Sequence, residues 1–281
     1  MKSLTYISDS GLMIQFNATF PFYVDHEDLN SVGASFDEIK PAGYDGTITT
    51  GGSYNKKIIP ISGTIVGTSK DHISELENLL AMTMNIHYEG WLIAEQNSGK
   101  KKKIKCRPTQ NPSFSKAFGL GVPFTCEWQC DKPYWLEYND TIVPIGQIVP
   151  MWSFPFTPPV TFGRAVQNVD IMNHTSIEIP IRIEVLSQST LIEIVNVSTG
   201  ASFKITAQIE KNHKMIIDSD NCDVYIVDLV SLEQVDATNR LVPGSDYITL
   251  KPGNNRIEIN NGIADSTPLS YIIYNIPSLA V

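Results

Sequence analysis

From Ile177 onward the chain is a succession of short segments in which apolar and polar residues alternate. Turns separate them, and nothing in this stretch carries the 3.6-residue period of a helix. Ile179–Val185, Leu191–Val197, Ser202–Ile209, Met215–Asp218, Val224–Asp228, Asp246–Leu250 and Arg256–Ile259 read as strands. Ser198-Thr-Gly200 and Pro252-Gly-Asn-Asn255 read as turns. Six or seven strands at this spacing predict a β-sandwich or jelly-roll.

The first half is also mostly strand, with one helix. In Lys57–Val66 the alternation puts Ile59, Ile61 and Ile65 on one face, and Pro60 marks an edge strand or a strand start. A helix follows over about Ser69 to Met84. Thr68 or Ser69 caps it, Asp71 sits in its first turn, and Ile73, Leu76, Leu80 and Thr83 share one face. Trp91–Glu95 and Lys100–Arg107 flank Asn97-Ser98-Gly99 as a β-hairpin, and Gly121–Cys130 is a further alternating strand. Residues 139–163 hold five prolines and several aromatics, which predicts an extended strap on the second domain and a division near residue 140. The expected domains are therefore 1–138 and 139–281.

The chain has 281 residues, with 42% hydrophobic and 18% charged, enough to build cores in both domains. No apolar run has the length of a membrane span, and the N-terminus is broken by Ser8, Asp9, Ser10 and Gly11. Synthesis in the cytoplasm is expected, with Cys106, Cys126, Cys130 and Cys222 as reduced structural thiols. Net charge is −9, and six of the 13 basic residues before residue 139 fall between Lys100 and Arg107. An acidic chain of this kind has no general affinity for nucleic acid.

Nothing in the sequence marks catalysis. There is no Gly-x-Ser-x-Gly elbow, and no metal spacing joins His26, His72, His87, His174 and His213. No enzyme activity, cofactor or metal is expected. Asp218, Asp220 and Asp223 fit either a strand turn, the favoured reading, or a cation site that lacks the EF-hand glycine and glutamate. The basic run of Lys100, Lys101, Lys102, Lys103, Lys105 and Arg107 has two readings of equal weight. One is a solvated strand end that blocks unwanted pairing; the other is a contact with an acidic surface of a neighbouring copy. Trp152, Phe154 and Phe156 either pack on the second domain, the favoured reading, or contact saccharides.

The order of the pieces carries a resemblance. Ile61-Ser-Gly-Thr-Ile-Val-Gly67, the capped helix, the Trp-containing hairpin and Phe124-Thr-Cys-Glu-Trp-Gln-Cys-Asp-Lys-Pro-Tyr-Trp135 resemble the N-terminal domain of siphophage distal tail proteins. Trp152-Ser-Phe-Pro155, Asn173 with Pro180, Asn196-Val-Ser-Thr-Gly200, Met215-Ile-Ile-Asp218 and Leu250-Lys-Pro-Gly-Asn-Asn255 follow in the order of that family's C-terminal domain. The family often has Gly after the asparagine at 173, where this chain has His174. No long insertion carries an arm or a sugar-binding module. The resemblance implies a mainly β protein: an N-terminal tail-tube-like β-sandwich with one flanking α-helix and a β-hairpin, and a galectin-like or jelly-roll C-terminal sandwich on the periphery. It also implies a homo-hexameric ring at the virion tail tip, between the tail-tube protein and a tail-associated lysin or fibre, with a channel for DNA. The rival function is a carbohydrate-binding adhesin for host cell-wall saccharides.

Overall fold

A computed structural model describes residues 2–17, 20–43, 45–145, 148–149, 164–165, 168–186, 189–260 and 270–281. The protein is mainly β and divides into two compact units. Unit 1 is Met1–Tyr138 with Pro277–Val281, and unit 2 is Asn139–Ile276.

Unit 1 runs β1 (Ser3–Ser8), β2 (Met13–Asn17), β3 (Phe22–Glu27), β4 (Ala34–Ile39), β5 (Ile48–Tyr54), β6 (Lys57–Val66), α1 (Lys70–Thr83), β7 (Gly90–Glu95), β8 (Lys101–Pro108), β9 (Ser113–Phe114), β10 (Gly121–Cys130) and β11 (Trp135–Glu137). Strands pair in the order β8-β7-β1-β2-β3-β6-β10, and β10 then pairs back with β8 through Trp128↔Pro108 and Gln129↔Arg107. The sheet thus closes on itself. The expected N-terminal sandwich is a closed barrel, because alternation specifies one apolar face per strand but not whether that face meets a second sheet or its own far edge. Leu4, Phe16, Ile59, Ile61, Ile65, Phe124 and Trp128 fill the interior.

Two local features of β6 follow from its central place. Pro60 lies inside an interior strand, not at an edge as its chemistry suggests. The β3 ladder stops at Ile61, and the Pro60 carbonyl, on the β3 side, accepts instead from Asp28 N. The missing proline N–H faces that same unpaired side and leaves no acceptor unmet. Gly63 has no room for a side chain: a Cβ there would stand 2.0 Å from the Tyr23 carbonyl oxygen.

The helix forms where its periodicity predicts. Ser69 Oγ accepts from His72 N at 3.1 Å as the N-cap, and Ile73, Leu76, Leu80 and Thr83 are its buried residues. Leu76 and Leu80, followed by Met84, extend the barrel core.

Unit 2 contains β12 (Thr141–Ile145), β13 (148–149), β14 (164–165), β15 (Asn168–Asn173), β16 (Ile179–Val185), β17 (Ile192–Asn196), β18 (Ala201–Ile205), β19 (His213–Asp218), β20 (Asp223–Asp228), β21 (Gln234–Asp236), β22 (Thr249–Leu250), β23 (Gly253–Asn260) and β24 (Ser270–Tyr274). One sheet has the order β12-β24-β16-β19-β20-β21, with β22 also on β16, and the other β15-β23-β17-β18. Ile181, Ile183, Met215 and Ile217 from the first sheet share a core with Ile194, Phe203, Ile257 and Ile259 from the second. This is the two-sheet sandwich that the alternation predicts. Of the expected strap, Thr141–Ile145 is an ordinary strand, paired residue for residue with β24; most of the remainder lies outside the described residues.

Three buried asparagines fix the turn before β23. Asn255 Nδ2 donates to the Lys251 and Gly253 carbonyls, and its Oδ1 accepts from Lys251 N and Asn196 Nδ2. Asn196 Nδ2 also reaches the Thr249 carbonyl, while Asn173 Nδ2 donates to the Ile177 and Leu250 carbonyls. His174 follows Asn173 without a positive φ, so its turn is made without the left-handed backbone that favours glycine.

The last strand, β25 (Pro277–Ser278), leaves unit 2 and pairs with β11 of unit 1. The second domain therefore ends at Ile276, not at the C-terminus. Buried Lys57 donates from Nζ to the Leu29 and Leu279 carbonyls at 3.1 and 2.8 Å. Trp135 Nε1 donates to the same Leu29 carbonyl at 2.9 Å. Lys102 Nζ reaches Ser278 Oγ and the Ala280 carbonyl, and Val281 N donates to Asn30 Oδ1.

Two outcomes test these arrangements. Deleting Pro277–Val281 removes one of the two carbonyls that accept from the Lys57 ammonium, together with the β11–β25 pairing, and lowers the stability of unit 1 by about 2–4 kcal/mol while leaving unit 2 unchanged. Hydrogen exchange, resolved by unit, reads the difference. Asn255→Ala removes four hydrogen bonds, one of them fully buried, and costs unit 2 about 2–4 kcal/mol in denaturant titration.

Candidate functional site

The basic run lies along a strand. Lys100 ends the turn, its carbonyl accepting from Gln96 N, and Lys101 to Arg107 belong to β8. Strand alternation sends Lys101, Lys103, Lys105 and Arg107 to one face and puts Lys102 on the face of buried Ile104 and Cys106. Lys105 Nζ lies 2.7 Å from Glu89 Oε2 and Arg107 Nη2 lies 2.6 Å from Glu89 Oε1. These hydrogen bonds, from Lys105 first and Arg107 second, hold the Glu89 carboxyl below the usual range. Lys101 lies 3.6 Å from Glu95, which also pairs with Lys2, and Lys103 Nζ lies 5.5 Å from the centroid of the Trp91 ring. Much of the positive charge is therefore already matched within unit 1.

Trp152, Phe154 and Phe156 lie outside the described residues. Asp218 works as a turn residue: its Oδ1 accepts from Asp220 N and Asn221 N, and its Oδ2 from Asn221 Nδ2. Among the described residues no three His, Cys, Asp or Glu side chains converge in a way that could hold a metal ion. An open cleft of about 330 Å³ in unit 1 is lined by Phe16, Asp25, His26 and Glu27 among others. Burial pushes the Glu27 carboxyl up, and Thr64 Oγ1 donates to Asp25.

Apolar surface left open to solvent is the more telling feature, and it escapes a reading by strand alternation alone. Strands β4 and β5 form a two-stranded sheet of their own whose residues are nearly all exposed. Phe36 is 64% exposed and Ile39 and Ile48 are each 57% exposed. Two strands without a third layer are marginal in water. On α1, Leu79 and Met82 continue toward Ile86 at offsets 0, 3 and 7, a second apolar stripe exposed beside the buried one. That stripe is legible in the sequence once the helix is placed. Unit 2 exposes Leu229, Val230 and Leu232 on the turn after β20, where Asp228 Oδ1 accepts from Val230 N.

Comparison with known proteins agrees with the two-unit fold. Residues 7–126 match a family model described as a phage tail protein RIFT-related domain, and residues 173–273 match the C-terminal domain of a siphovirus-type tail component. The Dit (gp 19.1) protein of phage SPP1, described as a paradigm of hub adsorption apparatus in phages infecting Gram-positive bacteria, superposes with a TM-score of 0.69 at 14% identity. The match covers 99% of this chain and 100% of that one. Chains of the phage P2 baseplate in its activated conformation with Ca and with Sr match at TM-scores of 0.58 and 0.57. Both are 12% identical and covered in full, as is this chain. No curated protein sequence matches. With one tail-protein model on each of its units and a fold shared over its whole length with a Dit protein, the chain belongs to the distal tail protein family of siphophages.

Proposed function

We propose that this chain is a non-catalytic subunit of the tail-tip hub. Six copies close into a ring through unit 1, and the ring joins the tail tube to the adsorption apparatus while leaving a channel for DNA. Unit 2 lies on the ring's periphery. The observation that carries the reading is the pairing of two tail-protein family models, in order, with the barrel and the sandwich of one chain.

The surface chemistry supports it. The β4–β5 hairpin and the outer stripe of α1 hold large apolar side chains in water, a cost that contact with a neighbouring copy removes. Hexamerisation repeats each such surface six times around a closed ring. The Lys100–Arg107 strand is the proposed charged part of the subunit contact, meeting acidic residues of the next copy. A chain of net charge −9 suits a channel that repels DNA phosphates and lets the duplex slide.

The first test is light scattering coupled to size exclusion on the full chain at low and moderate salt. A mass near six subunits, with rings in negative stain, is expected. Phe36→Ser combined with Ile39→Ser leaves the barrel folded and shifts the population toward smaller species. Salt-sensitive dissociation would implicate the Lys100–Arg107 strand in the contact. A strict monomer that binds cell-wall glycans would instead support the adhesin reading.

A further inference from the structure

The barrel closes at a narrow seam. Whereas β10 pairs with β6 over ten residues, its described register with β8 is Trp128↔Pro108 and Gln129↔Arg107. Carried one step further, that register would set Cys130, the last residue of β10, opposite Cys106 of β8. Both side chains lie on the buried face of their strands, and both belong to the core of the barrel. Directly opposed residues in an antiparallel ladder have Cα atoms about 4.5–5.5 Å apart. A disulfide spans about 4.4–6.8 Å between Cα atoms. Cys126 shares the buried face but lies a full four residues from Cys130 along β10, and Cys222 is exposed in unit 2.

We infer that Cys106 and Cys130 form a latent cross-strand disulfide that staples the barrel seam when the protein meets an oxidant. The pairing stands on the barrel alone; only its timing, after release from the reducing cell that makes it, rests on the tail reading. The co-reactant is hydrogen peroxide, a small neutral oxidant. One thiolate attacks a peroxide oxygen and the O–O bond breaks, giving a sulfenic acid and, after protonation, water. The second sulfur then displaces the sulfenic oxygen as another water, and the S–S bond forms. Two thiols lose two electrons and hydrogen peroxide becomes two waters. Burial first, and then the neighbouring Cys130 thiol, hold the Cys106 thiol well above its ordinary value. The attacking thiolate is therefore scarce at neutral pH, so oxidation is slow there and quickens as pH rises.

The test treats the folded full-length chain with hydrogen peroxide, then unfolds it, alkylates free thiols and maps the peptides without reductant. A peptide pair linked through Cys106 and Cys130, with Cys126 alkylated, is the expected result. The melting temperature of unit 1 should rise by roughly 5–10 °C and fall back on reduction. Cys130→Ala should show no oxidant-dependent shift, and the wild-type peptide map stands even if that variant folds poorly. Alkylation of both Cys106 and Cys130 while exposed Cys222 is oxidised would overturn the inference. Linkage of either one to Cys126 would overturn it as well.

Discussion

A buried ammonium holds three distant stretches of unit 1 together. Lys57, at the start of β6, donates to the carbonyl of Leu29 and to that of Leu279, residues separated by most of the chain. A charge withdrawn from water is costly unless its donors are met. Burial pushes the Lys57 pKa down, while Cys130 and Asp28 oppose that shift. The Leu29 carbonyl is shared with the indole of Trp135, so β6, the loop after β3, β11 and the C-terminal segment meet around two oxygens. The Asp-Lys-Pro-Tyr-Trp sequence that closes the first domain thus has a mechanical meaning. Its tryptophan is the second donor on a carbonyl that also anchors a buried cation.

What the sequence makes legible is what depends on neighbours along the chain. The helix from Ser69 and the turn closing at Lys100 follow from caps, period and turn chemistry that act within a few residues. The strands of the sandwich follow from alternation, because an antiparallel sheet with one wet face writes its burial into every second residue. The closure of the barrel is of another kind. It rests on β10 meeting β8, and a strand that points one face inward reads the same whether its sheet closes or stacks. Pro60 misleads for a related reason. Its missing donor is harmless only because β3 turns away at Ile61, a fact stored in a different strand. β24, which lies between β12 and β16 in its sheet, also passes unread.

The candidate surfaces divide along the same line. The basic run is conspicuous in the sequence, yet its pairing with Glu89 and Glu95 depends on the β7–β8 register and on the approach of the residue just before β7. A cluster of charge in one dimension becomes, in three, a strand that is largely self-compensated. The exposed apolar residues show the reverse. Phe36, Ile39 and Ile48 look like ordinary strand residues until the sheet that contains them proves to have only two strands and no core behind it.

Unit 2 enters and leaves through adjacent paired strands. β12 and β24 run side by side at its start and end, and β11 and β25 do the same in unit 1. The whole sandwich is therefore an insert grafted between two neighbouring strands of the first unit, and its ends are already as close as those of a hairpin turn. A graft of that kind can be enlarged, exchanged or trimmed without altering the path of the host barrel. The architecture lets the two units change independently: the path of the barrel does not depend on the size or content of the sandwich inserted into it.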